Sequence, residues 1–128
     1  MLAALTLCAG AAGAAWTRVA DSDEAAVYAD TVAIKRTRQF ATMWHVNDLK
    51  SARQTLVTMS AGQVYLSTKV QQEFDCQAAK VRTLSFAAHR DAMGKGEVVL
   101  ADNAVAHWAA VSADGLGALL FKLACGKP

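Results

Sequence analysis

The chain has 128 residues, 54% hydrophobic and 19% charged, which suits a single buried core and excludes a chain that is mainly disordered. Thirteen Lys and Arg against 11 Asp and Glu leave a net charge of +2. That balance argues against a nucleic-acid groove and against an electrostatic membrane anchor.

Residues 1–15 carry no charge and end in a run of Ala and Gly. An apolar stretch closing on small residues reads as the core and cleavage region of an export signal. It is shorter than the about 20 residues that a spanning helix needs. Ala12-Gly13-Ala14 and Gly13-Ala14-Ala15 are both cleavage triplets. The basic start of such a signal is missing, so a start upstream of Met1 is expected; the competing reading is a buried N-terminal element. Cys8 stands where a lipoprotein cysteine would be acylated, but Leu5-Thr6-Leu7 lacks the small residue that the cut requires. Membrane attachment is expected only if Cys8 is acylated. The rest, residues 16–128, reads as one domain with no repeat and, Pro128 being the only proline, no proline-rich linker.

Beyond the acidic loop of Asp21, Asp23 and Glu24, short apolar runs at 26–29 and 32–34 predict strands with Asp30 as the turn between them. Phe40, Thr42, Trp44 and Val46 alternate with their neighbours and predict a strand that stops at Asn47 and Asp48. Residues 49–61 show no pattern and read as a long hairpin connection. Val64, Leu66, Val70, Phe74 and Cys76 fall on even positions, with Tyr65, Lys69, Glu73 and Asp75 on odd ones. That is a long strand with one wet face, the mark of an antiparallel sheet. Runs at 81–88 and 98–101 predict further strands, joined through Met93-Gly94-Lys95-Gly96.

One segment departs from period two. Ser112 is a suitable N-cap, Leu116, Leu119, Leu120 and Leu123 form a helical stripe, and Gly126 is the expected stop. Only Lys122 is charged in the body of this helix, so it wants two apolar partners. The second is either a curl of the same sheet or another molecule. The expected fold is α+β: a single curved antiparallel sheet of about six strands with one C-terminal helix packed on it.

Removing residues 1–15 leaves Cys76 and Cys125, and an even count in an exported chain suggests a disulfide. Free thiols are the alternative. No metal is expected, because there is no Cys-x-x-Cys and His45, His89 and His107 lack ligand spacing. A bridge would pin the helix end to the sheet face that carries Phe74. No catalytic residue or cofactor is expected: Ser, His and Asp occur without a nucleophile elbow, and Gly94-Lys95-Gly96 lacks the spacing of a phosphate loop. Glu73 and Asp75 share a wet face and call for a cation, for which Lys80 or Arg82 is placed. Trp44 and Trp108 read as core anchors.

Two basic groups remain. Lys35, Arg36 and Arg38 cluster in one turn. Lys69, Lys80, Arg82 and Arg90 surround the cysteine-bearing hairpin and are the candidate ligand-binding residues, able to steer an acidic partner.

An ordered set of short pieces resembles the surface-adhesin protein E family of Gram-negative envelope proteins. The pieces are Trp16-x-x-Val19, Val27-Tyr28-Ala29-Asp30, Met43-Trp44, Glu73-Phe74-Asp75-Cys76, Gly94-Lys95-Gly96-Glu97, Trp108-x-x-Val111 and Phe121 through Gly126. The resemblance spans residues 16–127. It implies a helix tethered by a Cys76–Cys125 disulfide. It also implies a non-catalytic binding module of the periplasm or cell surface. The implied partners are host matrix or plasma proteins of the vitronectin, laminin and plasminogen class, with no nucleic acid. The alternative expectation is a periplasmic structural or assembly protein that self-associates or binds a bacterial partner through its apolar helix.

Overall fold

The computed structural model describes residues 15–55 and 62–126. The export signal expected at 1–15 falls outside them but for residue 15, and so does Cys8. In chain order the strands are β1 (Trp16–Asp21), β2 (Ala25–Asp30), β3 (Lys35–Thr37), β4 (Phe40–Gln54), β5 (Val64–Asp75), β6 (Lys80–His89), β7 (Val98–Asp102) and β8 (Ala109–Ala110). A helix, α1, spans Gly115–Cys125. The strands form one antiparallel sheet in the order β1-β2-β4-β5-β6-β7, with the short β3 added to β4 and the short β8 to β6. The expected six-stranded sheet and single helix are therefore present.

Directly paired residues share a face of a sheet, so the register assigns every side chain. Ala29 opposes His45, His45 opposes Val70 and Ala41 opposes Phe74, which puts these residues on one face. The helix lies on that face. Leu120 and Ala124 close a core with Ala29, Ala41, Met43 and Phe74, and Phe121 meets Phe74 edge-on at 6.1 Å between ring centroids. The small Ala29 and Ala41 let the helix come close. The Cys76–Cys125 disulfide joins the end of α1 to the residue just after β5. Gly126 ends the helix in the left-handed conformation at φ 69°, and its N–H donates to the Lys122 carbonyl.

Four sequence expectations change. The strand expected to stop at Asn47-Asp48 continues to Gln54, because both turn-prone side chains find hydrogen-bond partners distant in the chain. Asn47 Nδ2 donates to Thr68 Oγ1 at 2.9 Å, and Asp48 Oδ1 accepts from the Met93 N–H at 2.9 Å. The connection expected over 49–61 therefore begins as strand, and 56–61 lies outside the described residues. Residues 32–34 are not a strand: Asp30 Oδ1 takes the Ala33 N–H in a turn, Val32 is 80% exposed, and the strand forms one step later at β3. The helix N-cap is Asp114 and not Ser112, and it makes no side-chain capping bond.

Among the described residues, His45 on the helix-side face carries the one buried side-chain nitrogen or oxygen without a partner. It is 4% exposed between Ala29 and Val70, and its Nδ1 has no hydrogen bond among the described residues. Burial pushes its pKa down to about 4, so the ring is neutral near pH 7.

Candidate functional site

The face opposite the helix concentrates the chain's large aromatic side chains. By register it carries Trp16 on β1, Tyr28 on β2, and Phe40 and Trp44 on β4. Trp108, just before β8, joins them by stacking on Phe40 at 6.0 Å. All three tryptophans of the chain thus lie on this face, half-buried. The expectation that Trp44 and Trp108 anchor the core is corrected. The helix-side core closes with Ala, Met, Leu and Phe, and the indoles are left on the outer face. Parity along β4 separates Trp44 from Met43, but both sets are apolar, so alternation alone did not say which one meets the helix.

Two cations sit on these indoles. Lys69 Nζ lies 5.2 Å from the Trp44 ring centroid, and the Arg82 guanidinium lies 4.4 Å from that of Trp108. Such contacts contribute about 0.5–1 kcal/mol at exposed sites. Arg82 also binds Glu73, with Nη2 at 2.7 Å and Nε at 2.8 Å from the same carboxylate oxygen. The expected cation for Glu73 is therefore Arg82. Lys80 opposes Asp75 in the register, but Asp75 Oδ1 accepts from the Gln77 and Ala78 N–H groups at the turn. Lys69 and Glu73 are four residues apart on β5, so the two cation–indole pairs stand about 13 Å apart along the strands.

The candidate residues fall into two places. Lys69, Lys80 and Arg82 share the helix-free face. Arg90 lies beyond the far end of β6, where it holds Glu97 at 3.1 Å and the Gln63 side-chain oxygen at 2.8 Å. Lys80 and Arg90 are about 30 Å apart along the strand direction. Near Arg90 the face is roofed by residues 90–97, whose one turn of 3₁₀ helix covers Ala92–Gly94. Buried Ser67 fixes that roof by donating to the Asp91 carbonyl at 2.6 Å and accepting from the Gly94 N–H at 2.8 Å.

The face sets Lys35, Lys69, Lys80 and Arg82 among the carboxylates of Glu73, Asp75, Asp30 and Asp48. Its carboxylates are committed: Glu73 to Arg82, Asp75 and Asp30 to turn N–H groups, Asp48 to Met93. Lys35, Lys69 and Lys80 have no carboxylate within 4.0 Å among the described residues. On the opposite flank, the hydrogen bond from Lys50 to Asp21, 2.6 Å between Nζ and Oδ1, holds the Asp21 carboxyl below its usual range. No group of three metal-ligating side chains comes together among the described residues. No helix among them is long and apolar enough to cross a membrane. Aromatic rings beside unpaired cations make a surface suited to recognition, because Trp, Tyr and Arg dominate the energetics of protein interfaces.

The sequence pattern of one family, surface-adhesin protein E, matches residues 16–126. No curated protein sequence matches the chain. Among solved structures, crystal form II of Haemophilus influenzae protein E superposes with a TM-score of 0.68 at 13% identity, covering 96% of this chain and 97% of that one. Protein E from non-typeable Haemophilus influenzae superposes with a TM-score of 0.66 at 13% identity, covering 95% and 83%. At such identities the superpositions speak for the fold alone.

Proposed function

The chain belongs to the surface-adhesin protein E family, and from that premise we propose that it is a non-catalytic binding module of the Gram-negative envelope, displayed toward host proteins. The partners proposed are matrix or plasma proteins of the vitronectin, laminin and plasminogen class. The observation that carries the reading is the helix-free face, where half-buried indoles stand beside Lys69, Lys80 and Arg82. Indoles supply contact area at low entropic cost, and Lys69 and Lys80, outside any ion pair among the described residues, are placed to meet an acidic partner. Lys69, Lys80 and Arg82 are the proposed contact residues, with Arg90 a peripheral fourth.

The test is a titration of oxidised residues 16–128 on immobilised vitronectin, laminin and plasminogen at low and physiological salt. Saturable binding is expected, weaker at high salt and reduced by Lys69→Glu and Lys80→Glu, with the fold checked by circular dichroism. Affinity unchanged in the double charge reversal would remove this face from the assignment. A second reading, self-association or a bacterial partner in the periplasm, draws on Leu116, which is 39% exposed at the start of α1. A concentration-independent monomer by light scattering would count against the self-association part.

A further inference from the structure

In the basic turn Lys35-Arg36-Thr37-Arg38, the two arginines play no part in the face described above. This segment forms β3 and its turn into β4, beside the disulfide. A cavity of about 430 Å³ opens there, lined by Arg36, Arg38, Gln39 and Gln77, with Phe40 and the Cys76–Cys125 cystine as its apolar wall. We propose that this cavity binds an oxyanion of the phosphate class, either free or on a lipid headgroup.

The distribution of arginine partners carries the argument. The chain has six arginines, and four of them hold a carboxylate: Arg18 with Asp21, Arg53 with Glu24, Arg82 with Glu73 and Arg90 with Glu97. The two without one among the described residues are the two that line this cavity. Among the described residues no carboxylate side chain lines it, and its other polar side chains are two carboxamides able to donate. Two guanidiniums with donating amides and no acid form a site for a tetrahedral oxyanion, which takes several N–H donors at once.

The site is also held in place. Arg36 Nε donates to the Ala124 carbonyl at 2.9 Å and Nη2 to the Leu123 carbonyl at 3.4 Å, so the end of α1 fixes one side of the guanidinium. Its Nη1 makes no hydrogen bond among the described residues. Gly126 permits the approach, since a Cβ there would stand 3.1 Å from Arg36 Nη2. Arg38 holds a left-handed backbone at φ 60° and donates no hydrogen bond among the described residues. A residue with a Cβ in that region costs about 1 kcal/mol or more, and a glycine would avoid the cost. The strained position carries a guanidinium at the rim of the cavity.

The experiment follows backbone amide and arginine Nε resonances of the oxidised chain. Inorganic phosphate is titrated at constant ionic strength set with chloride. A parallel arm co-sediments the protein with phosphatidylglycerol vesicles, with phosphatidylcholine vesicles as the neutral control. Saturable shifts confined to residues 36–40, 77 and the helix end are expected, and Arg38→Gly should weaken them at least about tenfold. That variant relieves the left-handed strain, so it should fold at least as well as the parent. Lys95→Gln, in the 90–97 segment at the far end of β6, should bind as the parent does. Phosphate binding without vesicle binding assigns a free anion. Vesicle binding that is lost in Arg38→Gly assigns a headgroup. The proposal is overturned if neither probe binds, or if Arg38→Gly binds both as tightly as the parent.

Discussion

Acid should destabilise this protein through His45 before it reaches the usual carboxylate range. The ring lies between Ala29 and Val70 on the helix-side face, 4% exposed, with Nδ1 unpartnered among the described residues. Its pKa falls from 6.5 to about 4 because burial penalises the imidazolium. The unfolded chain therefore takes up a proton that the folded chain refuses between those two values. Stability is full above about pH 6.5 and declines as the pH falls toward 4. The complete difference is about 3 kcal/mol, and about 2 kcal/mol of it is lost between pH 8 and pH 5. Urea titrations at pH 8, 6.5, 5.5 and 5 measure this as a midpoint falling by about 1–2 M at the slope usual for a small domain. The comparison variant is His45→Leu, read by its pH slope and not by its absolute stability, so a packing penalty does not confuse the result. Exposed groups titrate alike in both proteins and cancel. Equal midpoint losses in parent and variant would refute the reasoning.

Three further outcomes follow from the core and the turns. Reducing the Cys76–Cys125 bridge, which spans 49 residues, should cost up to about 4 kcal/mol by the chain-entropy account; a reductant-dependent urea midpoint measures it, and a loss under about 1 kcal/mol would point to a reduced chain that keeps its structure. Leu120→Ala should destabilise by about 2–5 kcal/mol because Leu120 is 3% exposed in the core, whereas Leu116→Ala, at 39%, should stay within about 1 kcal/mol; equal losses in chemical denaturation would mean that α1 packs through a different stripe. Ala79→Gly should stabilise by about 1 kcal/mol, since Ala79 holds φ 54° in the β5–β6 turn, and an unchanged or lower melting temperature would contradict that strain.

Local chemistry was enough to read the strand over 64–75 and the helix. Period two along 64–76 identified the longest wet-faced strand, and Leu116 through Leu123 with Gly126 identified the one helix and its end. These signals are repetitive and act between near neighbours, so they survive without tertiary context. The disulfide was suggested by an even cysteine count, with free thiols left open, and the family resemblance implied its pairing. The basic residues were visible as clusters, but their grouping was not. Lys80 and Arg82 join Lys69 because β5 and β6 pair in register, while the ten-residue length of β6 carries Arg90 to the other end.

What only the tertiary structure decided depended on partners distant in the chain. Asn47 and Asp48 carry strong turn propensity, yet Thr68 and the Met93 N–H satisfy them, and β4 runs on through them. Both faces of β4 are apolar by sequence. Which face became core was set by where α1 fits, and a helix end tied to Cys76 fits against Ala29, Ala41 and Phe74. The indoles were left on the other face, and the candidate binding surface exists for that reason. Amphipathic period fixes the spacing of side chains along one element, but the choice between two apolar faces is made by the packing of another element against it.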